Sequence, residues 1–392
     1  MAVCRLVGSF PSPSSLVGGA ETGGYLGPNV YALSRAQARF GTDLHVLCRG
    51  NGTNEEMEGI KVHRLRAPYH LTSLVEMRRI NSLTRIEIIH IHATTAYTVA
   101  LSRHLIDDAS IVVHVHGTTI GASGVRNGNT FSESWTRTMS IARERFLWRR
   151  AKRLLAVSEN IRDELVFGYG VDPDRVRVVH NGVDSELFRP SDRREELREK
   201  YGWANSKVVL YVGQLSPRKG LAVLIQAASI VAQQVRDVRV VLVGGVPRYQ
   251  EASTHDYVSF LRQLAAKLGL GETVQFVGSK PNSSLPNIYS AADVFVLPSF
   301  YEGLPKSMLE AMACEKPVVA TDLPGVSAVL TGNLGICFPA GSIDGLAKAL
   351  IYLLTNETTR RDMGGRARAK VVSELTWDAA ARKIQGIYSE IV

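Results

Sequence analysis

The chain has 392 residues, of which 45% are hydrophobic and 21% charged, and a formal net charge of +9. That length exceeds what one hydrophobic core usually covers, so two domains are expected. No apolar run is long enough to span a bilayer, the four cysteines (Cys4, Cys48, Cys314, Cys337) lack the spacing of a zinc ribbon or a disulfide framework, and no common nucleic-acid-binding motif is present.

The N-terminus places Arg5 inside a short apolar run and lacks a signal-peptide core. It reads as a first buried strand, and with scattered cysteines it fits a reducing, cytoplasmic setting. Short apolar runs then alternate with longer helical patterns. Strands are expected at 3–10, 43–48, 60–65, 86–92, 111–116, 154–157 and 176–179, with helices at 28–40, 97–105, 132–152 and 159–167. Strands alternating with helices imply parallel sheet and right-handed crossovers.

The segment 181–190, NGVDSELFRP, breaks this rhythm with turn residues and a proline. The alternation restarts with strands at 208–212, 238–243, 273–277, 293–297 and 317–321. Helices are expected at 220–234, 255–268, 286–292 and 306–314, and a last one at 377–391 with Ala380, Ile384, Ile387 and Ile391 at helical spacing. The expected fold class is α/β, with two doubly wound Rossmann-like domains facing a cleft. Their bounds are 1–190 and 191–372, and residues 373–392 form a helix crossing back to the first domain.

Ligands of such sheets bind at the carboxyl ends of strands, and four segments there could carry chemistry. Residues 10–25 follow the first strand with two Gly-Gly pairs, Gly18-Gly19 and Gly23-Gly24, but match neither a G-x-G-x-x-G fingerprint nor a P-loop. His116 ends a strand, where an imidazole can donate to a substrate or move a proton. His90 and His92 share one strand face, as do His114 and His116. That H-x-H spacing suits a metal pair, but no further ligand stands at a familiar spacing, so structural histidines are expected and no metal. Arg218 and Lys219, in VGQLSPRKG, sit at a helix start and could clamp a diphosphate. Glu302 and Glu310, in PSFYEGLPKSMLEAMAC, flank a turn and a helix start, where acids can grip the hydroxyls of a sugar or ribose.

Basic residues gather at 143–153, 193–200 and 360–370. Anionic lipid or an anionic sugar nucleotide fits this charge, and solvated surface is the plain alternative. Residues 136–153, with Phe146, Leu147 and Trp148 among arginines, fit a peripheral position on an anionic inner membrane face.

Taken together, VVHNGVDSELFRP, LYVGQLSPRKG, VQFVG, HVHGT and SAADVFVLPSFYEGLPKSMLEAMACEKPVVATDLPG resemble the retaining GT-B glycosyltransferases of family 4. The segment TGGYLGPNVYALSRAQARFG is similar to the Gly-Gly loop and helix of sucrose-phosphate-synthase-like members. The resemblance implies a metal-independent retaining transfer of a hexose-type sugar from a nucleotide-diphosphate donor (a UDP-, GDP- or ADP-sugar), with no cofactor. It implies catalytic roles for His116, Glu302 and Lys219. Glu302, with the N–H groups of Gly303 and Leu304, would hold donor-sugar hydroxyls, and Glu310 the ribose. Arg218 and Lys219 would neutralise the diphosphate, His116 would contact the sugar near the reacting carbon, and Gly23 and Gly24 would let a loop close over the phosphate. The acceptor, whether lipid-linked, saccharide or small molecule, is not readable. Gln214, Pro305 and Ala328 depart from the family's usual arginine, glycine and glutamate. A non-catalytic sugar-nucleotide-binding partner of another transferase is the alternative reading, and a metallohydrolase built on the H-x-H pairs a third.

Overall fold

A computed structural model describes residues 1–12, 26–92, 109–123, 131–245 and 251–392. The chain divides into one unit of Met1–Gly182 with Trp377–Val392 and another of Val183–Thr376. No helix among the described residues is long and apolar enough to cross a membrane.

The first unit is built on an eight-stranded sheet of β1 (Ala2–Leu6), β2 (Asp43–Arg49), β3 (Asn54–Met57), β4 (Ile60–Leu65), β5 (Ile86–Ile91), β6 (Ser110–Val115), β7 (Arg153–Ala156) and β8 (Val176–Val178). Their order is β3-β4-β2-β1-β5-β6-β7-β8. Every pairing is parallel except β3–β4. Strands such as β1 and β6 are near-continuous in apolar residues because helices cover both sheet faces. The β3–β4 hairpin was not expected from the polar run Asn54–Glu56. It turns at Glu58 and Gly59, both at positive φ (51° and 78°), the geometry that suits a two-residue hairpin turn. A polar edge strand also discourages pairing with other chains.

Helix Leu26–Arg39 joins β1 to β2, and helix Trp377–Ser389 packs against it. Trp377, Ala381, Ile384, Ile387 and Tyr388 enter the same core as Val3, Val30, Leu33 and Ile88. The chain end is tied down as well: the Ile391 carbonyl accepts from Lys152 Nζ at 2.7 Å and Ser110 Oγ at 3.1 Å. Arg5 lies under this pair of helices, fully buried, with Nη1 donating to Ser34 Oγ at 2.5 Å and Nη2 donating to Gln37.

The second unit carries β9 (Lys207–Val212), β10 (Val238–Val243), β11 (Val274–Gly278), β12 (Val294–Leu297), β13 (Val318–Thr321) and β14 (Gly335–Phe338), in the order β11-β10-β9-β12-β13-β14, all parallel. The chain leaves β9 toward β10 and β11, then returns to place β12 on the other side of β9. The ends of β9 and β12 are therefore the switch point, where open α/β sheets bind ligands.

The division falls at Gly182 and Val183, ahead of the expected Pro190. Residues 183–190 are held by the second unit. Val183 N–H donates to Leu375 O at 2.9 Å, Arg368 Nη1 donates to Phe188 O at 3.4 Å, and buried Phe188 meets Tyr289 edge-on. Likewise the returning helix belongs to the first unit only from Trp377. Helices Tyr69–Leu83, Ile343–Thr355 and Glu357–Glu374 and strand β14 were not anticipated. The expected helix 97–105 lies outside the described residues.

Two of the basic runs turn out to be partly internal. Asp293, just before β12, receives Arg194 Nη2 at 2.8 Å and Arg198 Nη1 at 3.2 Å, with Arg360 Nη2 at 3.9 Å. Burial raises the Asp293 carboxyl, but the Val208 N–H and these arginines outweigh it and hold it below its ordinary value.

Candidate active site

After β9 the chain passes through Gly213 and a single tight turn, Pro217–Lys219, before helix Leu221–Gln234. Gly220 joins turn to helix in the left-handed region, at φ 66°. A Cβ there would stand 1.9 Å from the Pro298 carbonyl oxygen, so only glycine lets the loops after β9 and β12 approach this closely. Phe300 N–H donates to Arg218 O at 2.9 Å and Arg218 Nη1 donates to Tyr301 O at 2.6 Å, so the two loops are stitched in both directions.

This stitching brings three of the expected residues together. Lys219 Nζ lies 2.5 Å from Glu302 Oε1, and Arg218 Nη1 lies 3.9 Å from Glu302 Oε2. The Glu302 carboxylate is buried, at 7% exposure. Burial pushes its pKa up, but the charges of Lys219 and Arg218 and the lysine's hydrogen bond prevail, holding it below 4.5. Glu302 is therefore an anion at neutral pH, prepared to accept hydrogen bonds. Leu304 is buried, and among the described residues neither the Gly303 nor the Leu304 N–H has a hydrogen-bond partner.

Helix Lys306–Ala313 starts immediately after, with Pro305 as its N-cap residue. Glu310 lies on its buried side. Its Oε2 accepts from Tyr289 Oη at 2.9 Å, and its Oε1 lies 3.3 Å from Lys306 Nζ, one turn back on the helix. Tyr289 and Lys306 carry no signal of this role in the sequence, because one is a helical aromatic and the other a charge at a helix start.

His116 belongs to the first unit, just beyond β6. It closes a run of stacked imidazoles on β5 and β6, with ring centroids 4.6 Å apart for His114–His116 and 4.3 Å for His90–His92. His92 Nδ1 and His116 Nε2 are 3.2 Å apart. Burial lowers the His116 pKa to about 4, so its ring is neutral at physiological pH. His90, His92 and His114 are pushed well below 6.5, by burial first and then by neighbouring positive groups. The ligand atoms of these three lie within 4.8 Å of one another, which is compact enough for a metal. Arg5 Nη2, however, is 3.4 Å from His90 Nδ1, which sets a cation against any ion bound there. Tyr388 Oη occupies the same nitrogen at 2.5 Å.

The turn after His116 is clamped from below. Thr118 Oγ1 donates to Glu164 Oε2 at 2.6 Å, Thr119 Oγ1 donates to Glu144 Oε1 at 2.8 Å, and Tyr169 Oη also bonds Glu144. These supports come from distant chain segments and were invisible to motif reading. Gly23 and Gly24 lie outside the described residues.

Residues 193–370 match the family model Glycosyl transferases group 1, and residues 26–187 match the model Glycosyltransferase Family 4. Alpha-D-kanosaminyltransferase of Streptomyces kanamyceticus is 30% identical over 304 residues, covering 76% of this chain and 75% of that enzyme. The chain belongs to the group 1 glycosyltransferases. Another glycosyltransferase, the D-inositol 3-phosphate glycosyltransferase of Corynebacterium diphtheriae, is 29% identical over 98% of this chain and 94% of its own length. Among solved structures, sucrose-phosphate synthase from Thermosynechococcus elongatus superposes with a TM-score of 0.82 at 21% identity, covering 100% of this chain and 98% of its own. Anabaena HepE in complex with UDP-glucose superposes with a TM-score of 0.78 at 20% identity, covering 100% of both chains. These likenesses establish the two-domain GT-B fold of this glycosyltransferase.

Proposed function

We propose that this glycosyltransferase is a retaining, metal-independent enzyme that moves a hexose from a nucleoside diphosphate to an acceptor hydroxyl. The observation carrying this reading is the Arg218–Lys219–Glu302 cluster at the switch point of β9 and β12. Breaking a sugar–phosphate bond develops positive charge at the anomeric carbon and negative charge on the departing diphosphate. Arg218, Lys219 and the positive end of helix Leu221–Gln234 supply charge of the sign the leaving group needs. Two side-chain cations make a divalent ion unnecessary for this task.

In this reading the acceptor hydroxyl bonds to the anomeric carbon on the face from which the diphosphate leaves. The electron pair of the broken bond stays on the diphosphate, and one of its oxygens takes the hydroxyl proton. Glu302, with the Gly303 and Leu304 N–H groups, holds donor-sugar hydroxyls, and Glu310 holds the ribose. Lys219 shifts from Glu302 toward the phosphates as the donor enters. His116, just beyond β6, can offer a sugar hydroxyl a hydrogen bond from a neutral imidazole.

The test is a thermal-shift screen with UDP, GDP and ADP and their common hexose conjugates, followed by transfer assays with and without chelator. UDP-glucose comes first, because it is the ligand in the HepE complex. Inositol phosphate is the first acceptor to try, from the name of the corynebacterial relative. A bound donor raises the melting temperature by mass action. The reading is supported by a donor that stabilises wild type and not the Lys219→Met variant, by chelator-resistant turnover, and by product with the donor's anomeric configuration. It fails if turnover requires added metal or if the anomeric configuration inverts.

A further inference from the structure

We propose that the first unit carries a docking surface for an anionic phospholipid bilayer, formed by the outer faces of helices Tyr69–Leu83 and Phe131–Arg150. Connection β1 to β2 steps one way along the sheet, whereas β4 to β5 and β6 to β7 step the other way. Right-handed crossovers therefore put the two helices on the same sheet face, opposite the face covered by Leu26–Arg39 and the last helix.

On Tyr69–Leu83 the inner side is ordinary core, with Met77 and Ile80 buried. The outer side is not ordinary. Leu71, Val75 and Leu83 are 56%, 69% and 75% exposed, and with Arg79 they form a continuous ridge at four-residue spacing. On Phe131–Arg150 the expected Leu147 and Trp148 are buried in the core instead, and the exposed apolar residues are Trp135 and Met139, at 64% and 40%, followed one turn later by exposed Arg143. Single exposed apolar residues need no explanation, but apolar ridges that include an arginine do.

The charge is one-sided. Exposed charged side chains on these helices, among the described residues, are Arg78, Arg79, Arg137, Arg143, Arg145, Arg149 and Arg150. Glu144 is buried in the Thr119 clamp, and Glu76 is mostly covered, paired with Arg79 at 2.6 Å and with His63 at 2.8 Å. The runs at 193–200 and 360–370, by contrast, send Arg194, Arg198 and Arg360 inward onto Asp293. Apolar side chains that enter the acyl boundary, surrounded by arginines that meet phosphate, match an anionic interface in both respects.

Flotation of the full chain tests this, with vesicles of phosphatidylcholine alone and of phosphatidylcholine mixed with phosphatidylglycerol. The protein is expected to float with the mixed vesicles only, and to be released as salt rises. Leu71→Asp with Val75→Asp, and separately Trp135→Ser with Met139→Ser, should each lower partitioning by about fivefold or more. Because these sites are exposed, melting temperatures should stay near wild type. Arg361→Gln, on the second unit, should float as wild type. The proposal is overturned if nothing floats, if neutral vesicles suffice, if the ridge variants float normally, or if Arg361→Gln lowers flotation as much as they do. It is also overturned if the wild type sediments as a dimer that the ridge variants convert to monomer, since the face then serves a second copy of this chain.

Discussion

The Lys219 ammonium lies 2.5 Å from a carboxylate oxygen of Glu302, joining residues 83 positions apart at the ends of adjacent strands. Side-chain exposures of 13% and 8% leave both charges little water. A pair this covered contributes little net stability, yet removing one partner strands the other. Lys219→Met and Glu302→Gln should therefore each abolish detectable transfer, a loss of at least about 100-fold in kcat/KM. Lys219→Met, which leaves the Glu302 charge in place, should also cost about 3 kcal/mol in urea unfolding. The double variant should recover much of that stability and none of the activity. If the double variant turns over normally, the pair is only architectural.

Glu310 makes a different prediction, since Tyr289 and Lys306 already hold it in place on its helix. If it accepts from the ribose, Glu310→Gln should raise KM for the donor by about tenfold or more with a smaller change in kcat, as for a binding contact made equally in ground and transition states. Tyr289→Phe should have the same sign at smaller size. Titration calorimetry with the nucleoside diphosphate alone should show the same weakening.

Gly220 is where backbone geometry and the site meet. Gly220→Ala sets a methyl against the Pro298 carbonyl and places a side chain at φ 66°. It should destabilise the second unit by about 2 kcal/mol or more and separate the loops that carry Lys219 and Glu302. An unchanged urea midpoint would show that the loops part without cost.

Acid should act on the two units at different pH. The imidazoles of His90, His92, His114 and His116 are held below their ordinary 6.5, with His116 at about 4. A depressed folded-state value means that the unfolded chain binds protons first. The stabilisation is thus complete above pH 6.5 and drains as pH falls toward 4. Glu302 and Asp293 are also depressed, from 4.5 and 3.8, so their contribution to the second unit is lost only below about pH 4.5. Melting followed between pH 7.5 and 4 should show the first unit weakening first. A melting temperature independent of pH from 7 to 5 would mean that the imidazoles are solvated.

Much of the fold, and the segments that form the candidate site of the second unit, could be read directly, and the reason is local. The candidate-site residues of the second unit sit in two short contiguous segments, 212–220 and 298–314, each following a strongly apolar strand. The partnerships were not readable, because Lys219–Glu302, Tyr289–Glu310 and the clamp of Glu144 and Glu164 on the His116 turn join distant segments. Helix Tyr69–Leu83 escaped notice for a related reason. Its outward Leu71, Val75 and Leu83 blur the periodicity that inward Met77 and Ile80 would have shown. Helix Glu357–Glu374 is charged throughout, and it buries Arg360, which reads as surface. The boundary at Gly182 was displaced because Val183 and Phe188 find their partners near Leu375 and Arg368, far along the chain.

The unit that begins at Met1 is finished by Trp377–Val392. On the ribosome, everything from Val183 to Thr376 is therefore made before the first unit can close, and domains tend to fold as they emerge. The second unit should reach its native state while the first still shows water the surface of Val30 and Leu33 that Ile384 and Ile387 will cover. Truncation before Trp377 would thus spare the lobe synthesised later and leave the one synthesised first open, in need of a chaperone to hold it.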